Sequence, residues 1–445
     1  MRNFVPSSAQ VKKVHHVFKR MLQILGKAPL FVLAIPLVLL IRLISPWILV
    51  RIGNLVGGRI GHFAGNTELY LCERDAGINV PTKRYLDLFF IGRPVANLQL
   101  AIMWRRILRV WPVWILAPIY RINGFFPGGA QHDVGHNTQW DRDVHNLLDQ
   151  SSPHLQFDPK EILHGEAGLR GMGIPEGASF VCLAVRDSAY LERHIPTINW
   201  SYHSYRDTDI QNYILAAEEL AKRGFYVIRM GEHVREPMKC NNLKVIDYAA
   251  NGMRNDFMDI YLGAKCSFCI TMGTGFDAVP TIFRRPIVFV NSVPVGYLST
   301  FCTRYTHITR RHLLVGSDRE LTLREIFSHG VGYCTKTSDY DSRGVQLIEN
   351  SPEEIRDTVI EMAERLKGTW QPHPDDEALQ KRFWEIFPTD SVLRGAPAHG
   401  SIRSRYGAKF LRDNRCWLEF PGDVKCDSAE EMLTQKTSFI IHAKL

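Results

Sequence analysis

The sequence predicts an α/β chain built as two successive domains, each a parallel sheet with helices on both faces. Three observations predict it. Short apolar runs alternate twice over with segments of helical spacing, first over about 47–118 and again over 178–291. In each series a strand runs into a glycine-bearing turn that opens a helix, NLVGGRIGHF in the first and MGTGFD in the second. In the second series, polar residues collect where the strands end, which is the edge at which open α/β sheets bind ligands.

Residues 1–27 are basic and polar, with Arg2, Lys12, Lys13, Lys19 and Arg20. The apolar run that follows is uninterrupted only over 28–41, where Arg42 ends it and Pro36 and Pro46 break the helical register. A span needs roughly 20 residues. The expectation is therefore a helix lying on the membrane surface, with basic residues on anionic headgroups; the alternatives are a helix buried against the first domain and a true transmembrane helix. WILVRIG (47–53) reads as the first strand. The helix after it carries Ile60, Phe63, Ala64, Thr67 and Leu71 at helical spacing. A strand over 86–92, a helix over 94–110 and a strand VWILAP complete the first series. The stretch 124–173 reads as long loops and short helices leading to a linker.

The second series opens with ASFVCLAVRD, a strand ending on Arg186 and Asp187. A loop rich in tyrosine and histidine leads to a helix over 209–223, then to the strand GFYVIRMG, ending on Arg229 and Gly231. The short strand NLKVIDY and the helix NDFMDIYLGA follow. CSFCITMGTGFDAVPTIFRRPIVFVN then reads as strand, turn at Gly273 and Gly275, helix from Phe276 and a strand after Pro286. Beyond 291 the pattern weakens until Ser351-Pro352-Glu353-Glu354, a capping serine, a proline at the first helical position and early acids. Helices are expected to about 366, over 375–387 and within RSRYGAKFLRDN, and the tail from 416 has no reading.

A net charge of +8 favours anionic partners. No basic block with interleaved aromatics follows the amino terminus, so nucleic acid is not expected as a partner. The nine cysteines are scattered and sit mostly in apolar runs, as reduced core thiols of a cytosolic protein do. Cys266 and Cys269 form a CxxC without a second one, and their spacing on a strand sends them to opposite faces. GxSxG, P-loop, HExxH and GxGxxG are absent, which removes the usual support for hydrolase, kinase, zinc-protease and dehydrogenase readings.

The Gly273-Thr274-Gly275 turn, followed by Asp277, would let a backbone approach a phosphate or diphosphate. Arg186, Arg206 and Arg229 stand at or just after strand ends of the same domain and could neutralise a departing diphosphate without metal. Each alone would read as a surface ion pair. Asp207-Thr208-Asp209 could hold a divalent ion or cap the next helix, and Asp141 and Asp143 match the same pattern. His62, beside the first glycine loop, could take a proton from an acceptor hydroxyl or simply pack at a helix end. Glu68, Asp87 and Asp187 are rival bases.

The segments VRIGNLVGGRIGHFAGNTELYL, VRDSAYL, YRDTDIQNYILAAEELAKRGFYVIRMG and CITMGTGFDAVPTIFRRPIVFVN, with SPEEI and YGAKFL, resemble a bacterial family of glycosyltransferases found with capsule and O-antigen genes. The resemblance spans about 47–414. It implies a GT-B architecture of two facing Rossmann-like domains: an acceptor domain over 47–173, a nucleotide-sugar domain over 174–350, and helices over 351–415 that cross back to the first domain. By that resemblance Arg186, Arg229, Gly273, Thr274 and Gly275 would hold the donor diphosphate, and His62 leads on the acceptor side. The implied activity is metal-independent transfer from a nucleotide-sugar to a lipid-linked or growing surface glycan at the cytoplasmic face of the bacterial inner membrane, with no cofactor. The alternatives are an epimerase or other nucleotide-sugar enzyme, a pyruvyl transferase, or a noncatalytic scaffold of glycan assembly.

Overall fold

A computed structural model describes residues 28–135, 142–194, 198–317, 319–393 and 395–419. The basic segment 1–27 and the tail from 420, both considered above, lie outside the described residues. The chain forms two compact units, Met1–Trp140 and Asp141–Leu445.

In the first unit α1 (Ala28–Leu43) is one helix that runs through Pro36, so the proline does not end it as expected. Its Ala34 and Val38 are buried four residues apart, against Leu116 and Ile119. The Arg42 guanidinium ties the helix end down, donating to the Pro127 carbonyl at 2.7 Å and the Asn123 side chain at 3.1 Å. β1 (Leu49–Leu55) pairs in parallel with β2 (Tyr85–Ile91), and α2 (Ile60–Asp75) connects them. Phe63, Ala64, Thr67 and Leu71 on α2 are buried, as their spacing predicts. α3 (Leu98–Ile107) begins at Asn97, whose side chain accepts from the Leu100 N–H.

The expected strand VWILAP is instead the start of α4 (Val113–Asn123). An apolar run this short fits either state; the burial of Leu116, Ile119 and Asn123, three and four residues apart, is helical. Among the described residues the first-unit sheet therefore has two strands, bordered by isolated parallel bridges from Asp133 to Ile52 and from Val110 to Phe89.

In the second unit α5 (Leu147–Gln150) and α6 (Pro159–Gly171) occupy the stretch expected as long loops and short helices leading to a linker. A capping box between Asp158 and Glu161 starts α6. Gly165 and Gly168 let it close on a neighbouring helix: a Cβ at Gly165 would lie 2.2 Å from the Tyr261 ring, and one at Gly168 2.5 Å from the Met258 sulfur. Then come β3 (Phe180–Ala184), α7 (Ala189–His194), α8 (Ile214–Lys222), β4 (Tyr226–Met230), β5 (Val245–Ile246), α9 (Asp256–Lys265), β6 (Cys269–Thr271), α10 (Ala278–Ile282), β7 (Ile287–Ser292) and β8 (Tyr305–Thr309).

Beyond β8, where the pattern weakens, β9 (Arg311–Leu314) pairs antiparallel with β10 (Arg319–Glu320) and, past α11 (Leu323–Ser328) and α12 (Thr337–Asp341), with β11 (Val345–Ile348). The chain ends in α13 (Pro352–Lys367), α14 (Asp376–Ile386), a small hairpin of β12 (Val392–Leu393) and β13 (Ala396–Pro397), β14 (Arg405–Tyr406) and α15 (Ala408–Asp413).

The main sheet is wholly parallel, in the order β14-β8-β7-β6-β3-β4-β5. Val181, Val227, Ile270 and Val288 from its strands share one core with Ile355 and Val359 of α13, Phe383 of α14 and Leu411 of α15. The helices of 351–415 thus share the core of the second unit's sheet. Ser351 and Glu354 form the capping box that the sequence signals.

Cys266 and Cys269 are buried free thiols, and Cys182 stands opposite Cys269 in the sheet register. Burial pushes the Cys269 and Cys182 thiols well up, which keeps them protonated and inert. Cys416 is disulfide-bonded, an exception to the reduced set expected.

Candidate functional site

The strand order reverses beside β3. From β3 the chain moves one way to β4 and β5, then crosses to β6 on the other side. Such a switch point opens a crevice outside the carboxyl ends of the two strands. Here Ala184 of β3 is level with Thr271 of β6. Arg186 lies two residues past the first and Gly273 two past the second.

Gly273 has φ of +86°, a conformation that side chains with a Cβ rarely adopt. The turn is held from within, since Thr271 Oγ1 accepts the Gly273 N–H at 3.2 Å and the Thr274 N–H at 3.4 Å. Arg206, from the 3-10 turn 201–206, donates to the Gly273 carbonyl. Its Nε is buried without a hydrogen-bond partner. Arg186 Nε donates to the Asp207 carboxylate at 3.2 Å. Burial lowers the Arg186 pKa, the nearby Arg206 charge lowers it further, and Asp207 opposes both. Burial pushes the Asp207 carboxyl up even though Arg186 pulls it down. Two guanidinium groups thus stand close enough to repel each other, with one desolvated carboxylate beside them. An anion bound there would relieve the repulsion between the guanidinium groups.

The loop carrying these groups is pinned from behind. Buried Arg310, at the end of β8, donates to the Asp207 carbonyl at 2.6 Å and lies 3.6 Å from Glu349. Glu349 accepts from the Thr208 hydroxyl, the Asp209 N–H (3.4 Å) and Asn212 (3.1 Å). The Asn291 amide donates to the Thr208 hydroxyl at 3.3 Å. Sequence reasoning missed Arg310, Glu349 and Asn291. The signal for Arg310 was present, an arginine directly after the strand YTHIT.

Other expected residues do different work. Arg229 points inward from β4, 2% exposed, and donates to the Glu236 carbonyl at 2.6 Å and to Asp247 at 3.2 Å. Gly231 sits in close quarters, since a Cβ would lie 3.0 Å from Val234 and 3.2 Å from Ala249. Asp187 uses one oxygen on the Ala189 N–H and the other on the Arg235 N–H, both at 2.9 Å, which suits an anchor better than a base. Thr274 Oγ1 is 3.4 Å from Thr271 Oγ1, Gly275 is exposed, and Asp277 directly precedes α10.

Asp209 caps the turn at Gln211 (2.8 Å) and Asp207 serves Arg186, so both carboxylates of that motif already have protein donors. Asp143 accepts the N–H groups of Leu147 and Leu148 at 2.8 and 2.7 Å, while Asp141 lies outside the described residues. In the first unit His62 is the third residue of α2 and half-buried. Glu68 is buried six residues on, about 120° round the helix at roughly 100° per residue. Asp87 is taken up by Arg51, at 2.8 and 2.6 Å, and by the Tyr70 hydroxyl at 2.6 Å.

No family model matches the chain, and no curated protein matches it. Among solved structures it is similar to the glycosyl transferase family 9 protein of Veillonella parvula DSM 2008, at 13% identity and a TM-score of 0.39, over 72% of this chain and 97% of that one. It is also similar to the E. coli ADP-heptose lps heptosyltransferase II, at 14% identity and a TM-score of 0.35, over 58% and 90%. A third is the E. coli iron-containing dodecameric glycosyltransferase TibC, at 12% identity and a TM-score of 0.27, over 55% and 59%. Scores this low leave the assignment to the chain's own residues.

Proposed function

We propose that this chain is a glycosyltransferase that moves a sugar from a nucleotide-sugar to a lipid-linked or growing surface glycan, without a metal, at the cytoplasmic face of the inner membrane. The observation that carries the reading is the pair Arg186 and Arg206 at the β3/β6 switch point, beside the Gly273 turn. In the reaction the acceptor oxygen attacks the anomeric carbon, and the bond from that carbon to the diphosphate oxygen breaks. The diphosphate leaves with the electron pair, and two fixed guanidinium groups stabilise the charge that develops on it. The acceptor proton goes to a base, for which the family resemblance nominates His62 on α2.

The test is a thermal-shift panel of the full chain against UDP, GDP, CMP, ADP and dTDP, with and without magnesium. One nucleoside diphosphate should raise the melting temperature in the absence of magnesium. Arg186→Ala and Arg206→Ala should each weaken that nucleotide's binding about tenfold or more, the scale of a lost charge-assisted hydrogen bond of ~1.5–3 kcal/mol. No shift with any of the five, or unchanged affinity in both variants, would refute the site.

A further inference from the structure

The protein's excess positive charge belongs entirely to one unit. Residues 1–140 contain 17 Lys and Arg against 5 Asp and Glu, a net +12, while 141–445 contain 37 against 41, a net −4. The same unit exposes large apolar side chains. α1 buries only one stripe, Ala34 and Val38. Leu33, Leu40 and Leu43 on its other sides are 64, 52 and 68% exposed, and Trp47 just beyond it is 73% exposed. α4, against which the buried stripe packs, exposes Trp114. Phe125 in the loop that Arg42 fastens to α1 is 84% exposed. Single exposed apolar residues are ordinary, but a group of leucines and aromatics on two helices packed together is not.

We infer that the outer surface of α1 and α4 docks in the plane of an anionic bilayer, with Trp47, Trp114 and Phe125 at headgroup level. Three features select a lipid surface over a protein partner. Charge and apolar area coincide in one unit, which is how interfacial helices bind anionic lipid. One tryptophan stands just beyond α1 and another on α4, as in the aromatic belts of membrane interfaces. Six of those 17 basic residues, Arg2, Lys12, Lys13, Lys19, Arg20 and Lys27, fall in the 27 residues before α1 as charges for headgroups.

Docking in plane follows from size and packing. Sixteen residues at 1.5 Å each span about 24 Å, against about 30 Å of hydrocarbon. Among the described residues no helix is long and apolar enough to cross a membrane. α1 is also held sideways by α4 and by Arg42.

The experiment is flotation of the full chain with vesicles of phosphatidylcholine alone and of phosphatidylcholine with 30% phosphatidylglycerol, at low and high salt. Its companion is sedimentation equilibrium without vesicles. The protein should float with the anionic vesicles at least tenfold better than with the neutral ones, and added salt should release part of it. Leu33→Ser with Leu40→Ser, and separately Trp114→Ala with Phe125→Ala, should each cut binding about tenfold. These positions are exposed, so melting temperature and circular dichroism should hold, and they serve as the check on folding. Equal binding to both vesicle types, or variants that bind like the parent, would overturn the inference. So would a dimer that the same substitutions dissociate in a protein that ignores vesicles, because the face would then belong to a second copy. None of these readouts involves the nucleotide, so the inference and the proposed transferase activity fail or stand separately.

Discussion

The Arg229 guanidinium sits inside the β4–β5 edge and donates to the Glu236 carbonyl and the Asp247 carboxylate, while the Arg186 guanidinium, in the crevice, faces Arg206 as well as Asp207. The two should fail differently when truncated. Arg229→Ala takes the cation from Asp247, itself mostly buried and left with the Met238 N–H, and opens a space in the sheet edge, so unfolding free energy should fall by about 3 kcal/mol. Arg186→Ala loses one ion pair but also removes the repulsion with Arg206, and its stability cost should stay within about 1 kcal/mol. Urea denaturation of the two variants, set beside nucleotide titrations, checks the contrast: stability lost in the first, affinity in the second. In the sequence the two positions look alike, each an arginine where an apolar strand gives out. What separates them is Asp247, 18 residues after Arg229 and unreadable as its partner until the sheet brings β5 beside β4.

The strands β8 and β9 carry part of the unit's acid sensitivity, beside His399 ahead of β14, whose pKa burial drives down to about 3. His307 of β8 holds Nε2 2.9 Å from the Ser299 carbonyl, and His312 of β9 holds Nδ1 3.1 Å from the Arg310 carbonyl. Burial drives the His307 pKa down to about 3, with Arg142 adding to it, and the His312 pKa down to about 4, with Arg310 adding to it. Unfolded, both would titrate near 6.5, so below that pH the unfolded chain takes up protons that the folded chain refuses. Their contribution is intact above 6.5 and is lost as pH falls toward 4 and 3, at about 1.4 kcal/mol per pH unit for each ring. Asp259, pushed up to about 6 by burial against the pull of Arg254, works the other way and offsets part of the loss between pH 6 and 4. Urea midpoints measured at pH 7, 6 and 5 should therefore fall, and His312→Asn, which keeps a donor for the Arg310 carbonyl without the titrating ring, should flatten the decline. An equal slope in that variant would assign the acid loss elsewhere.

Elements differ in how far the chain announces them. α2 is legible from its apolar periodicity and α13 from its capping box, and β3, β4, β6 and β7 because apolar runs end on polar or glycine residues. β14, two residues long, leaves no pattern, and its place beside β8 is fixed only by tertiary pairing. α4 was read as a strand because six apolar residues carry no period. The crevice inherits this division. Arg186 and Gly273 follow strands that the sequence shows, whereas Glu349 reaches the Thr208 loop from the end of β11, a strand that it does not.

Taken whole, the chain divides its properties between its two units. Every group placed at the β3/β6 switch point, together with Arg310, Glu349 and Asn291 behind it, belongs to the unit Asp141–Leu445. That unit has its own core, running from β3 through α15, and its own seven-stranded sheet. Its net charge of −4 would repel a nucleotide at long range, so any affinity must come from the arginines of the crevice rather than from a general positive field. A fragment of residues 142–445 is therefore expected to fold cooperatively and to bind the selected nucleoside diphosphate within about threefold of the full chain, a difference of ~0.65 kcal/mol. Calorimetric titration of the fragment and the full chain at matched salt decides it. Because residues 1–140 carry the net +12, their removal should weaken binding more at low salt than at high salt if they contribute only a distant field. A folded fragment that has lost nucleotide binding at every salt concentration would mean that residues of the first unit touch the donor, and the switch-point crevice alone would no longer account for it.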